Sequence, residues 1–261
     1  MRTRFVAVPA LLLATIVTPL MTEAQVADPP TPPPETLRAS SVDGTTLRAG
    51  IWAYDIVVKQ GGEEQKVGTR VLTIDPATHD GQPAWALVET SESGPTELVD
   101  SLVLDRTSLR PMHRSLRMGP TQLVAEFDTD SVRGAIDSQG GTSNFATTLP
   151  PDAIINAGML EAVVRLHELR AGWARRADLL VIGPTGQSHA TATDLRVVGE
   201  ESVTVPAGDF PAWAATATAN GAQQRLWFAR DGNVVVRSST ESPQLPGARI
   251  ETVLTRMEVA P

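Results

Sequence analysis

The stretch that decides the fold runs Gly50-Ile-Trp-Ala-Tyr-Asp-Ile-Val-Val-Lys-Gln-Gly-Gly62. Successive side chains of an extended chain point to opposite faces, so Trp52, Tyr54, Ile56 and Val58 share one face while Asp55 and Lys59 share the other. Gly61-Gly62 then stops the strand. The same rhythm runs outward from this segment, through Val67–Ile74, Ala84–Thr90, Leu98–Leu104, Met112–Met118, Leu123–Phe127, Val132–Ile136 and Asn144–Leu149. It resumes at Ala177–Ile182, Ser188–Val198, Val203–Val205, Phe210–Thr218, Gln223–Phe228, Val234–Ser239 and Ile250–Val259. Gly, Pro, Asp and Asn punctuate the series at short intervals, and short connections make consecutive strands antiparallel neighbours.

One segment breaks the alternation. After Pro150-Pro151-Asp152, the residues Ile154, Ala157, Leu160, Val164 and His167 recur at helical spacing, with Asp152 placed to cap the helix and Gly172 to end it. A helix over about 153–170 is therefore expected between two groups of strands. The groups echo each other: Leu72-Thr73-Ile74, Gly81 and Pro83-Ala84-Trp85-Ala86 match Val203-Thr204-Val205, Gly208 and Pro211-Ala212-Trp213-Ala214. Leu102-Val103-Leu104-Asp105-Arg106 then matches Leu226-Trp227-Phe228-Ala229-Arg230. The pattern predicts a mainly β protein, a long curved antiparallel sheet or partly open barrel of two related half-sheets, about 46–149 and 177–260. Trp85 and Trp213 should occupy equivalent inward positions.

Before the strands lie two segments of another kind. Arg2 and Arg4 precede an apolar run from Phe5 to Leu20 and a polar Thr22-Glu23-Ala24, the pattern of a secretory signal peptide over residues 1–24. Residues 25–43 carry prolines at 29, 30, 32, 33 and 34 and read as a disordered, extended tether. Residues 44–261 form the single β domain. The mature chain is expected to be periplasmic, without a transmembrane span.

With 41% apolar residues the 261-residue chain can build a core, and a formal charge of −8 disfavours nucleic acid as a partner. The absence of cysteine excludes disulfides, thiolate catalysis and Cys-ligated metal. His79, His113, His167 and His189 are scattered, with no spacing that converges ligands on a metal. Gly183-Pro184-Thr185-Gly186-Gln187-Ser188 lacks the lysine of a phosphate loop and reads as a turn, and no nucleophile elbow is present. Acidic pairs such as Asp128 with Asp130 and Glu200 with Glu201 sit at turns, where solvation keeps them ionised. No catalytic, cofactor-binding or metal-binding residue is assigned, and no cofactor is implied.

Two groups remain as binding candidates. Trp52, Tyr54, Trp85 and Trp213 on the strands, with Ile154, Leu160 and Val164 on the helix, are candidate lining residues for an apolar pocket between the concave sheet and the helix. Arg106, Arg110, Arg114 and Arg117 lie in a stretch without an acid and form a candidate anion patch. Strand alternation sets Arg114 with Met112, Leu116 and Met118, opposite His113 and Arg117, which splits that patch between faces.

The strings VTVPAGDFPAW (203–213) and LWFARDGNVVVRSS (226–239), with GIWAYDI near the start and DRTSLRPMHRS (105–115) between, resemble an uncharacterised family of exported bacterial β-sheet proteins defined as a domain of unknown function. That resemblance implies an elongated antiparallel sheet, loosely similar in shape to the periplasmic lipoprotein carriers LolA and LolB, and brings no catalytic residues with it. The resulting expectation is a non-enzymatic periplasmic binding or carrier scaffold for a hydrophobic or lipid-like molecule. The alternatives are an envelope structural or protein-interaction module and a hydrolase with an unfamiliar site.

Overall fold

The alternating segments become fifteen strands of one sheet in the computed structural model, which describes residues 34–150, 152–182, 188–242 and 246–260. The strands are β1 (Glu35–Thr36), β2 (Gly50–Gln60), β3 (Glu63–His79), β4 (Gln82–Ser93), β5 (Thr96–Asp105), β6 (Pro111–Met118), β7 (Thr121–Phe127), β8 (Ser131–Ser138) and β9 (Gly141–Thr148). After helix α1 (Ala157–Arg165) come β10 (Ala174–Ile182), β11 (Ser188–Val205), β12 (Gly208–Ala219), β13 (Ala222–Ala229), β14 (Val235–Glu241) and β15 (Arg249–Val259). Their spatial order is β1-β10-β11-β12-β13-β14-β15-β2-β3-β4-β5-β6-β7-β8-β9. Each half is a meander, and the halves join where β15 pairs antiparallel with β2.

Turn chemistry sets the register of this sheet. Asp80-Gly81 and Asn220-Gly221 each hold two residues at positive φ (49° and 77°, 50° and 78°), the two-residue loop whose twist matches that of flanking strands. They pair His79 with Gln82 and Ala219 with Ala222.

The sheet curls around α1 without closing into a barrel. Its two ends approach where Thr147 Oγ1 at the end of β9 lies 2.9 Å from Ser188 Oγ at the start of β11. Between them, the chain from β9 to α1 runs extended along β10, with Ile154 N–H donating to Asp178 O (3.0 Å) and Ile154 O accepting from Leu180 N–H (2.7 Å). Those bonds explain why the helix starts later than its spacing predicts. Asn156 is the N-cap, accepting from Met159 N–H at 2.8 Å, and the helix is 157–165 instead of 153–170. Asp152 pairs instead with Arg38 at 3.4 Å.

That contact belongs to a second difference. From Glu35 onward the segment expected to be a tether is docked: β1 pairs parallel with β10, and Leu37 and Ala39 are buried in the core. The signal-peptide residues 1–24, and the tether up to residue 33, lie outside the described residues.

The two related half-sheets are visible in hydrogen bonds as well as letters. Arg106 N–H donates to Pro83 O at 3.2 Å, and Arg230 N–H donates to Pro211 O at 2.9 Å. The register shifts between Val103 and Leu104 in one half and between Trp227 and Phe228 in the other, at matched positions. Each tryptophan carries the arginine of its turn over its ring, Arg106 on Trp85 at 4.7 Å and Arg230 on Trp213 at 5.1 Å. The burial differs, because Trp85 is enclosed and donates to Gly44 O (2.9 Å), whereas Trp213 is partly exposed.

Candidate functional site

A concavity lies on the sheet face turned away from α1. Tyr54 and its cross-strand partner Leu254 face the helix side, so alternation along β15 turns Val253, Glu251 and Arg249 to the opposite face. Register adds Arg237, Ser239 and Glu241 of β14 and Gln223, Arg225 and Trp227 of β13 to that face. The β11–β12 hairpin bends over it, since Ala207 N–H in its turn donates to Leu254 O at 3.1 Å, past the two intervening strands. Small side chains at Ala212 and Ala214 let Glu201 of β11 reach across β12 to β13. A groove of about 880 Å³ results, with Trp227, Arg225, Arg237, Arg249, Glu201 and Glu251 in its walls.

Its electrostatics are ordered by the indole. The guanidinium carbons of Arg225 and Arg237 lie 4.7 and 5.1 Å from the Trp227 ring centroid, within cation–π range. Glu201 accepts from Arg225 through one oxygen and from Trp227 Nε1 (2.7 Å) through the other. Both oxygens of Glu251 accept from Arg237 Nη2 at 2.8 Å, and Lys59 Nζ adds a contact at 3.2 Å. Burial acts to raise the Glu251 carboxyl, but the hydrogen bonds from Arg237 and Lys59 outweigh it and hold the group below its ordinary range.

On the other face, the sequence-predicted lining residues come together but as packed interior. Trp52 and Tyr54 are each 1% exposed, and Trp85, Ile154 and Val164 are buried with them, while Leu160 is partly buried against the same core. Trp213 stands at the second half-sheet, under Arg230. Met159, Ala162 and Val163 of α1 fill the concave face. The helix also brings charge inside. Arg70 Nη2 donates to Glu161 at 2.7 Å and Glu89 at 3.0 Å, and the Arg165 guanidinium lies 3.8 Å from the Trp52 ring centroid. Burial pushes the Tyr54 phenol up, the Glu161 charge adding to it, and burial pushes Arg165 down. Arg70 is held above its ordinary value because Glu161 and Glu89 outweigh the burial that opposes them.

The four patch arginines are divided. Arg114 is buried in a two-point pair with Asp100 (2.9 and 2.8 Å), and Asp100 also accepts from Asn156 at the helix cap (2.9 Å). Arg117 pairs with Glu97 at 2.9 Å, Arg106 covers Trp85, and Arg110 reaches Asp128 O at 3.4 Å. Among the described residues no cluster of three or more His, Asp or Glu could hold a metal ion.

The groove arginines were not singled out from sequence. Only same-side spacing, Arg225 with Trp227 and Arg237 with Ser239, signals them within a strand, and the register of three strands is needed to assemble them.

The profile of a family described as "Protein of unknown function (DUF3108)" matches residues 53–246, from within β2 to beyond β14. The chain belongs to the DUF3108 family. The resemblance read from the VPAGDF and LWFARDG strings is thereby established for this DUF3108 chain. No curated protein matches it in sequence. Among solved structures, the β-barrel-like protein of domain of unknown function DUF1849 from Brucella abortus aligns over 82% of this chain and 99% of its own, with a TM-score of 0.52 and 8% identity, which shows a shared fold. A DUF1329 family protein from Desulfovibrio piger aligns over 83% and 87% (TM-score 0.29, 10% identity). A domain from Vibrio parahaemolyticus, provisionally described as an outer membrane lipoprotein-sorting protein, aligns over 82% and 86% (TM-score 0.20, 7% identity). No helix among the described residues is long and apolar enough to cross a membrane.

Proposed function

We propose that this DUF3108 chain is an exported, non-enzymatic periplasmic scaffold that binds an amphiphilic, lipid-like molecule. The observation that carries the reading is the groove of about 880 Å³ over Trp227, a volume in the range of small-molecule sites. Its lining combines Trp227, Ala222 and Ile250 with charged and hydroxyl side chains, which suits a molecule with both kinds of surface. The concave face under α1, where an apolar pocket was expected, is packed with helix side chains and supports that role less well. The barrel-like fold is compatible with the reading and does not by itself argue for it.

The absence of native cysteine provides a direct test. A single Ser239→Cys variant carrying an environment-sensitive fluorophore reports on the groove, and a Met257→Cys variant, at an exposed position near the end of β15, serves as a control. Titration with a medium-chain fatty acid or alkyl glycoside should give a saturable shift at position 239 and none at 257. Equal response at both positions, or none at either, rejects the groove as a binding site. Native mass spectrometry of protein purified from its own envelope would then identify the bound class.

A second reading, an envelope interaction module, is favoured by β9. This terminal strand, Gly-Thr-Ser-Asn-Phe-Ala-Thr-Thr, has no charge or proline of the kind that blunts sheet edges. Its signature in the same experiments would be self-association or capture of an envelope protein with no small-molecule response.

A further inference from the structure

We infer that the groove over Trp227 is selective for anionic head groups, so that a phosphate or carboxylate is the part of the ligand it reads; this rests on the binding role proposed above. The argument is a comparison of donors with acceptors. Glu201 and Glu251 have every oxygen engaged by Arg225, Trp227, Arg237 or Lys59. The arginines are not so engaged. A guanidinium has five N–H donors. Arg237 uses only Nη2, and its Nε is buried without a hydrogen-bond partner among the described residues. Arg225 likewise engages its carboxylate through Nη2 alone. Arg249, exposed at the rim, makes no hydrogen bond or ion pair among the described residues.

What remains to be bonded in the groove is thus predominantly donor. Two of the three guanidiniums are fixed against one indole and tethered by one carboxylate each. Their donors are therefore held in place before a ligand arrives, and less ordering entropy is lost on binding. Ser239 and Gln223, between the arginines, add neutral partners. A phosphate or carboxylate oxygen matches guanidinium N–H groups in number and geometry better than a hydroxyl does. Glu241, the cross-strand partner of Arg249, is the competing acid at the rim. The formal charge of the three arginines and three glutamates lining the groove cancels. Selectivity therefore comes from which hydrogen-bonding groups are left over, and removing Glu241 should sharpen it.

The test is calorimetric titration of the folded chain with three probes: inorganic phosphate, dodecyl phosphate below its micelle concentration, and a dodecyl glycoside as the neutral match. Dodecyl phosphate is expected to bind at least tenfold more tightly than the glycoside. Arg249→Gln, at an exposed position whose side chain makes no hydrogen bond or ion pair among the described residues, should weaken dodecyl phosphate about tenfold and the glycoside far less. Glu241→Gln should strengthen phosphate binding. Inorganic phosphate binding as well as dodecyl phosphate would assign the site to a free anion, and tighter dodecyl phosphate would assign it to a lipid head group. Both results support the inference. Equal affinity for phosphate and glycoside, with indifference to Arg249→Gln, overturns it while leaving a binding scaffold in place. No binding of any probe overturns both.

Discussion

Replacing Arg70 by methionine tests whether α1 is held by a buried ionic junction or simply rests on apolar neighbours. Arg70 is bonded to both Glu89 and Glu161, and its side chain is 12% exposed, beside glutamates that are 18% and 15% exposed. Methionine keeps much of the stem volume but takes the shared cation from both carboxylates, leaving Arg165 Nη2, 3.9 Å from Glu161, as the remaining ion-pair contact among the described residues. Breaking a buried pair in this way costs about 3–5 kcal/mol. With an m value of about 3 kcal/mol/M, the urea midpoint should fall by roughly 1–2 M. Adding Glu89→Gln to Arg70→Met removes the surplus negative charge, frees Glu161 to turn toward Arg165, and should recover about half of the loss or more. Acidification gives an independent check. In Arg70→Met the folded-state pKa of an uncompensated buried carboxyl lies above its unfolded value of about 4.3, so the folded state binds the extra proton and the deficit should shrink from pH 7 toward pH 5. Urea titrations followed by circular dichroism at both pH values measure all of this. A loss below about 1 kcal/mol, or a double variant no better than the single one, would refute the buried-junction reasoning.

Three further outcomes follow from the packing. His167 is pushed down by burial, with Arg175 adding to it, so the stability it contributes is present above its unfolded pKa of about 6.5 and is lost as pH falls below that value. His167→Gln should flatten the stability profile between about pH 6.5 and 5 in thermal melts. Trp85→Ala should cost about 3–5 kcal/mol in chemical denaturation, whereas Trp213→Ala, at the matched but partly exposed position, should cost clearly less. Gly134→Ala should be strongly destabilising, because the added methyl would lie 2.1 Å from Val124 O; normal expression and melting would show that β7 and β8 separate more readily than their register suggests.

Particular residues show what a sequence of this kind discloses. Trp52, Tyr54 and Leu72 are legible because strand alternation is local, and the paired Pro-Ala-Trp-Ala strings are legible because a repeated turn needs repeated letters. The helix boundary was misplaced because both Asp152 and Asn156 are good caps, and only the tertiary bonds of Ile154 to β10 choose between them. Leu37 and Ala39 were hidden next to a proline-rich segment, their burial depending on the parallel edge of a strand some 140 residues away. The groove was least legible. Arg225, Arg237 and Arg249 come from three strands, and although Arg225 stands two residues from Trp227 on β13, nothing within β14 or β15 says that Arg237 and Arg249 share that face.

The join between β15 and β2 sets the order in which the molecule can be made. Each meander can zip from local hairpins as soon as its own strands are available, but the bonds that unite them pair Gly50 with Val259 and Lys59 with Arg249. Until Arg249–Val259 has emerged, the half that precedes α1 carries β2, a long apolar strand, with one side unpaired. Non-local pairing of this kind is slow, and an exposed strand edge recruits other chains. A chain cut short before Arg249 would lose one strand of fifteen yet be left with two half-sheets and two adhesive borders, so its characteristic failure should be aggregation during biogenesis, well before any question of ligand arises.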